Sequence, residues 1–241
     1  MSTSRGGGSC SGVRSASDID RTRMIAAAKG GARSDYAYPD ARLLVFCKAP
    51  EAGQVKTRLI PAVGELGALA VYERLAAHVI ERAVEARLAP VQLWISGCTD
   101  HPFFSRWSAD RHAQQGGDLG ERMSSAIRAA FAEPGVRRVV LFGTDIPGIT
   151  SGYLQHAVAS LDHFDAVLGP AEDGGYVLIG VKRADASLFD GVPWSTSKVL
   201  RTTRNRIAAL GWRWEEMEML WDVDEPADLA RLRAFERALL G

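Results

Sequence analysis

Asp145 comes shortly after an apolar run at residues 138–142, in a position where a carboxylate could do chemistry. If that run is a buried strand, the side chain lies just beyond the end of the strand. A carboxylate there can bind a hard cation such as Mg²⁺, which takes oxygen ligands and usually shares them with phosphates. A turn aspartate, held by its own backbone ahead of Pro147, is the alternative.

A loop with three cations and one glutamate follows an earlier apolar run at residues 43–47. Its cations are Lys48, Lys56 and Arg58. Gly53 allows the backbone to turn tightly and approach a ligand. Backbone N–H groups and cationic side chains together suit a nucleotide diphosphate. The Walker A pattern G-x-x-x-x-G-K-[ST] is absent, and a solvated charged loop is the alternative.

Three further segments could shape a site. In residues 172–176 two acidic residues precede two glycines, which suggests close backbone approach to a bound group, although Asp-Gly also predicts a simple hairpin. Asp222 and Asp224 alternate, so both face one side if the segment is extended, and helix capping by Asp224 or Glu225 is the alternative. Asp118 follows two glycines that could let a flat base lie on the backbone, or it could cap a helix.

Composition excludes several classes of function. The chain has 241 residues and 29 Lys plus Arg against 29 Asp plus Glu, so no global basic field exists for a nucleic acid or a membrane surface. Nothing approaches the ~18 apolar residues of a membrane span. The three cysteines form no C-x-x-C pair and no secretory signal is evident, so we expect a cytoplasmic location. The histidines show neither H-E-x-x-H nor a Ser-His-Asp arrangement.

Alternating strand-like and helix-like patterns predict the elements that position these residues. Residues 1–40, rich in Gly, Ser, Arg and Ala, are expected to form a disordered tail, and residues 41–241 to form one domain. We expect strands at 43–47, 91–95, 138–142, 165–169, 176–180 and 213–219, and helices at 65–87, 118–132, 150–161, 197–210 and 226–239. This alternation predicts a three-layer α/β domain with a mostly parallel sheet, whose site lies beyond the carboxyl ends of the strands.

Six ordered motifs resemble a bacterial GT-A-type glycosyltransferase family that is often associated with arsenosugar biosynthesis. The family is related to nucleotidylyltransferases of molybdenum-cofactor and 2-phospholactate metabolism. The motifs are Lys48-Ala-Pro with Gly53 and Val55-Lys-Thr-Arg-Leu59, Gln115 with Gly117-Asp-Leu-Gly-Glu-Arg-Met123, Gly143-Thr-Asp-Ile-Pro147, Glu172-Asp-Gly-Gly-Tyr-Val-Leu-Ile-Gly180, Pro193-Trp-Ser-Thr196 and Asp222-Val-Asp-Glu-Pro-Ala-Asp-Leu229. Thr144 stands where serine is expected and Glu225 where threonine is common, and neither change removes a proposed ligand.

The resemblance implies a nucleotide-diphospho-sugar transferase fold, GT-A and Rossmann-like, with a divalent metal, Mg²⁺ or Mn²⁺. It implies Asp145 as the leading metal ligand, Asp224 as a second carboxylate and Asp222 as a further one. These carboxylates would converge on one ion opposite the basic loop. The implied phosphate-binding and nucleobase residues are Lys48, Gly53, Lys56, Arg58, Asp118, Leu119 and Gly120.

On the acceptor side, the resemblance implies Asp173 as the residue that binds the acceptor or acts as general base. The residues that would shape this side are Glu172, Gly174, Gly175, Tyr176 and Trp194. For Trp194, packing is the alternative interpretation.

The predicted function is metal-dependent transfer of a sugar from a nucleotide-diphospho-sugar to a small-molecule acceptor. The first alternative is a guanylyltransferase-like nucleotidylyltransferase that uses a nucleoside triphosphate, and the second is nucleotide binding without turnover. Triphosphate chemistry usually needs a first loop with several glycines. This loop has one glycine, Gly53, which favours a nucleotide-diphospho-sugar over a nucleoside triphosphate. A homodimer is left open.

Overall fold

A seven-stranded sheet forms the centre of the computed structural model, which describes residues 35–240. Its strands are β1 (Ala41–Lys48), β2 (Val91–Ser96), β3 (Asp110–Ala113), β4 (Arg138–Phe142), β5 (Ala166–Pro170), β6 (Tyr176–Val181) and β7 (Trp214–Glu216). Their order is β3-β2-β1-β4-β6-β5-β7, and only β6 runs antiparallel to its neighbours β4 and β5. The predicted α/β fold with a mostly parallel sheet is confirmed.

Helices cover both faces of this sheet. They are α1 (Ile60–Glu85), α2 (Leu119–Phe131), α3 (Ser151–Ser160), α4 (Val199–Ala209) and α5 (Asp228–Leu240). Because successive side chains of a strand point to opposite faces, Leu43 and Val45 of β1 pack with α1 and α3, whereas Leu44 and Phe46 pack with α2 and α4. Helix α5 packs against α1 through a smaller apolar cluster that includes Leu229.

The predicted strands and helices all form, with bounds shifted by a few residues. Strand β3 was not predicted, because its residues Asp110–Ala113 include no apolar run and it lies at the edge of the sheet. The predicted strand at 213–219 is shorter in the structure, where β7 spans Trp214–Glu216. Within the described residues, no helix has both the length and the apolar character needed to cross a membrane. The cytoplasmic location stays a prediction.

Most of the predicted tail, residues 1–40, lies outside the described residues. The part that is described is bound to the domain. The Tyr38 N–H donates to the Leu88 carbonyl at 2.6 Å, and the Arg138 guanidinium lies 5.5 Å from the Tyr38 ring centroid. The ordered domain therefore begins before residue 41.

The reversed direction of β6 decides where the site can form. Since β6 is antiparallel to both β4 and β5, strand β5 runs in the same direction as β1 and β4. The carboxyl ends of these three strands therefore meet at one edge of the sheet. The loops that leave this edge are 49–56, 143–150 and 171–175.

Gly169 in β5 lies where any side chain would collide with its neighbours. A Cβ there would be 2.5 Å from the Tyr153 hydroxyl and 3.1 Å from the Leu178 Cβ. We expect Gly169→Ala to lower the free energy of unfolding by about 1–3 kcal/mol in a urea titration, because overpacking forces neighbours to shift. The control is Gly152→Ala, whose added Cβ would be 3.8 Å from Thr150 Oγ1 and which should not lose stability. Equal losses in both variants would contradict this steric explanation.

Candidate active site

Loops at the carboxyl edge of the sheet enclose a cavity of about 720 Å³. It is bordered by the loop after β1, the loop after β4, the turn between β5 and β6, the segment before α4 and the segment before α5. The predicted site residues that line it are Lys48, Lys56, Arg58, Leu119, Asp145, Asp173, Gly175, Tyr176, Trp194, Asp222 and Asp224. The sequence therefore identified residues that the fold brings to one space.

The other predicted site residues do not line this cavity: Gly53, Asp118, Gly120, Glu172 and Gly174. Asp118 is the N-cap of α2, and its carboxylate accepts a hydrogen bond from the Glu121 N–H at 2.8 Å. The cap, one of the two interpretations of Asp118, is therefore confirmed. Asp118 and Gly120 line a second pocket, and their contact with a nucleobase stays a prediction. Glu172 is exposed and bound to Arg231, with oxygen–nitrogen distances of 2.6 and 2.9 Å.

Two of these glycines allow close packing beside the cavity. A Cβ on Gly120 would be 2.9 Å from the ring of Trp194, which also packs against Tyr176. A Cβ on Gly174 would be 2.6 Å from the Ser197 carbonyl oxygen, and its φ is +88°. Both glycines therefore allow close packing of Trp194 and Ser197, which line the cavity, without lining it themselves.

Lys56 connects the basic loop directly to the acidic side of the cavity. It is buried, its Nζ lies 2.7 Å from Oδ2 of Asp145, and it donates a hydrogen bond to the Val223 carbonyl. The expectation that the basic loop lies opposite the carboxylates is wrong for this residue, because the two charges are in contact. A buried ammonium group requires such a partner, since an unpaired buried charge is strongly destabilising.

One oxygen of Asp145 is left without a partner. Oδ1 is buried and has no hydrogen-bond donor among the described residues, whereas Oδ2 contacts Lys56. Buried polar atoms in folded proteins are nearly always satisfied by protein, water or an ion. Oδ1 of Asp145 is therefore an available ligand position.

Three carboxylates influence one another across the cavity. Burial raises the pKa of Asp222 to about 6, and the negative charges of Asp173 and Asp145 act in the same direction while Lys56 opposes them. Asp224 is paired with Arg58, whose Nη1 lies 2.5 Å from Oδ2 of Asp224. Among residues 35–240, no three His, Cys, Asp or Glu side chains already form a metal-binding group.

Tyr72 and Gln114 line the cavity and were not predicted as site residues. The Tyr72 hydroxyl accepts from the Lys48 N–H at 2.7 Å and donates to the Lys48 carbonyl at 2.8 Å, and burial raises its pKa. Gln114 donates to the carbonyls of Cys47 and Trp94 at 3.1 and 2.9 Å, so it joins the ends of β1 and β2. Tyr72 carries no sequence signal within an apolar helix, and the only signal for Gln114 is its place beside the glycine-rich motif.

Two comparisons with known proteins bear on the family. A family model described as "Uncharacterized protein conserved in bacteria (DUF2064)" matches residues 79–196. The crystal structure of a proposed nucleotide-diphospho-sugar transferase from Desulfovibrio desulfuricans G20 is 32% identical, with a TM-score of 0.73, and the match covers 83% of this chain and 98% of that chain. The chain belongs to the same family as the Desulfovibrio protein, and the predicted nucleotide-diphospho-sugar transferase fold is confirmed.

More distant structures share the fold alone. CMP:2-keto-3-deoxy-manno-octonic acid synthetase, solved with CTP, is 12% identical with a TM-score of 0.55, and the match covers 82% of this chain and 98% of that chain. The 4-diphosphocytidyl-2C-methyl-D-erythritol synthase of Anaerococcus prevotii DSM 20548 is 10% identical with a TM-score of 0.54, covering 82% and 97%. No protein of curated function matches this chain in sequence. The link to arsenosugar, molybdenum-cofactor and 2-phospholactate enzymes stays a prediction.

The raised pKa of Asp222 makes stability depend on pH in metal-free protein. The carboxyl has an ordinary pKa of 3.8 and a folded-state pKa of about 6, so the folded protein binds the proton more tightly. Proton binding by Asp222 therefore stabilises the folded protein at low pH. This stabilisation is lost as the pH rises from about 4 to about 6. With chelator present, we expect Asp222→Asn to be more stable than the wild type by about 1–3 kcal/mol near pH ~7.5, and by much less near pH ~4.

Asp224→Asn is the matched control for this measurement, since Asp224 forms an exposed pair with Arg58. Its free energy of unfolding should stay within about 1 kcal/mol of the wild type at both pH values. An Asp222→Asn variant that is no more stable than the wild type near neutral pH would contradict the electrostatic account.

Proposed function

We propose that this protein is a metal-dependent glycosyltransferase that transfers a sugar from a nucleotide-diphospho-sugar to a small-molecule acceptor. The observation that carries the proposal is a single cavity lined by the cations of the first loop and by four aspartates. The aspartates are Asp145, Asp173, Asp222 and Asp224. The family relationship to a proposed nucleotide-diphospho-sugar transferase supports the donor class.

The cations of the first loop would bind the diphosphate of the donor. Ammonium and guanidinium groups make charge-assisted hydrogen bonds to phosphate oxygens. Lys56 is paired with Asp145 and Arg58 with Asp224, so two of the four cavity aspartates have a cationic partner in the free protein. A diphosphate would compete with these carboxylates for the cations, and the carboxylates would in turn gain capacity for a metal ion.

Asp145 and Asp222 would hold the divalent ion, Mg²⁺ or Mn²⁺. Oδ1 of Asp145 lacks a partner among the described residues, and the charge around Asp222 is incompletely compensated. Two carboxylates are enough, because Mg²⁺ is usually bound by one or two of them together with substrate phosphates and water. Asp224 is the third candidate ligand, and its pairing with Arg58 makes it the weaker one. When bound, the ion would neutralise the charge that builds on the leaving diphosphate.

Asp173 would act on the acceptor. Its Oδ1 accepts a hydrogen bond from the Gly175 N–H at 2.8 Å, which fixes the orientation of the carboxylate beside the cavity. As the acceptor hydroxyl attacks the anomeric carbon, its proton would pass to Asp173 while the bond from that carbon to the diphosphate breaks. Tyr176 and Trp194 would form the wall beside the acceptor.

Thermal shift with a panel of nucleotides tests the reaction class. Nucleoside diphosphates, nucleoside triphosphates and nucleotide-sugars are each added with and without Mn²⁺. A ligand at a hundred times its Kd adds about 2.7 kcal/mol to the free energy of unfolding, which is easily detected. We expect metal-dependent stabilisation by at least one nucleotide-sugar. Stabilisation by triphosphates alone would indicate nucleotidyl transfer instead, and no metal-dependent response would contradict both reactions.

Asp145→Asn should remove the metal-dependent part of this stabilisation. The amide keeps the shape of the side chain but leaves the buried Lys56 without a charged partner, so we expect a lower melting temperature. At temperatures where the circular dichroism spectrum still matches the wild type, Mn²⁺-dependent nucleotide affinity should fall by about tenfold or more. Asp162→Asn is the control, because Asp162, like Asp145, is paired with a cation, here Arg138 at 2.9 Å, and does not line the cavity. Wild-type affinity in Asp145→Asn would remove Asp145 from the metal site.

A further inference from the structure

The segment before α5 joins two acidic loops of the cavity. On one side, the Leu220 N–H donates to the Pro170 carbonyl at 3.0 Å, and the Glu172 N–H donates to the Leu220 carbonyl at 3.2 Å. On the other side, the Val223 N–H donates to the Asp145 carbonyl at 2.9 Å. The segment is therefore placed between the turn at 171–175 and the loop after β4.

Arg231 of α5 contacts both the turn at 171–175 and the segment before α5 from outside the cavity. Its guanidinium makes two hydrogen bonds to the Glu172 carboxylate, at 2.6 and 2.9 Å, and lies 4.3 Å from the ring centroid of Trp221. Trp221 is buried and packs edge-to-face against Phe235, which is in α5 like Arg231. A bidentate guanidinium–carboxylate pair fixes both distance and orientation, which a single point charge does not.

The two residues that Arg231 contacts are chain neighbours of cavity aspartates. Glu172 precedes Asp173, and Trp221 precedes Asp222. Asp173 and Asp222 carry like charges that repel each other across the cavity. This repulsion favours a wider separation of the two carboxylates, and it is opposed by the backbone hydrogen bonds through Leu220 and by the contacts of Arg231. Neither Arg231 nor Glu172 lines the cavity, so an effect of this pair on the cavity would pass through Asp173 and Asp222.

We propose that Arg231 is a positioning residue, which sets the separation of Asp173 and Asp222 by holding Glu172 and Trp221 at once. This inference rests on the proposed function, since it concerns the carboxylates that would hold the metal and the acceptor. Helix α5 thereby becomes part of the site, although its described side chains stand outside the cavity. Loss of the guanidinium would leave only the backbone hydrogen bonds through Leu220 between these segments, so the orientation of Asp173 relative to Asp222 would be less well fixed.

The test uses Mn²⁺ together with inorganic pyrophosphate, which carries the diphosphate of the proposed donor without its base or sugar. Binding of Mn²⁺ is followed by the loss of the free-ion EPR signal, well below the melting temperature of each variant. Arg231→Met keeps the aliphatic part of the side chain and removes the guanidinium. We expect about tenfold weaker Mn²⁺ binding in the presence of pyrophosphate. Glu172→Gln should weaken binding in the same way, and the double variant should be no weaker than Arg231→Met, because both changes break one interaction.

Arg204→Met is the matched control, because Arg204 makes an equivalent bidentate pair with Glu216 at 2.6 and 2.6 Å and does not line the cavity. It should alter Mn²⁺ affinity by less than about twofold. Arg231→Lys keeps the charge and should restore part of the affinity. Affinity that stays at the wild-type value in both Arg231→Met and Glu172→Gln, even with a lowered melting temperature, would overturn the positioning role alone. If the wild type does not bind Mn²⁺ with pyrophosphate, the proposed function fails and this inference fails with it.

Discussion

A buried ammonium group holds together the parts of this site that are far apart in the chain. Nζ of Lys56 contacts both the Asp145 carboxylate and the Val223 carbonyl, while the Val223 N–H donates to the Asp145 carbonyl at 2.9 Å. The loop after β1, the loop after β4 and the segment before α5 are thus fixed by one small network. Because a buried charge is tolerated only while it is paired, the network requires all three segments at once. These three segments supply a large part of the cavity lining.

The sheet explains why these segments can meet. Strands β1 and β4 are parallel neighbours, and β5 runs in their direction because β6 is reversed between β4 and β5. Their following loops therefore leave from one edge, where charged residues can face a shared space. Helix α5 then returns to the same edge, and Asp228 accepts hydrogen bonds from the N–H groups of Asp224 and Glu225 at 2.9 and 2.7 Å. The segment before α5 is thus bound to the loop after β4 through Val223 and to the first turn of α5 through Asp228.

The sequence predicts the central strands well because buried parallel strands are continuous apolar runs, as in β1 and β4. It also predicts Lys56, Asp145 and Asp173 as cavity residues, since each follows such a run. Edge strand β3 has no comparable pattern. The pairing of Lys56 with Asp145 was not predictable either, because it depends on how two separate loops fold back.

Neighbouring residues illustrate the same limit. Glu172 and Asp173 are adjacent, yet one is bound outside by Arg231 and the other lines the cavity. Glu172 is bound by an arginine 59 residues away in the chain, and the local sequence does not indicate this contact. Tyr72 is missed for a related reason, because a tyrosine within the apolar face of a helix looks like an ordinary core residue until its hydroxyl is seen on the Lys48 backbone.

The most direct test of the account is a crystal structure of the protein grown with Mn²⁺ and a nucleoside diphosphate, with anomalous differences used to locate the ion. We expect a manganese peak beside Asp145 and Asp222, with the phosphates in contact with Lys56 or Arg58. A diphosphate bound elsewhere on the molecule, or a manganese ion in the cavity that touches neither aspartate, would contradict it.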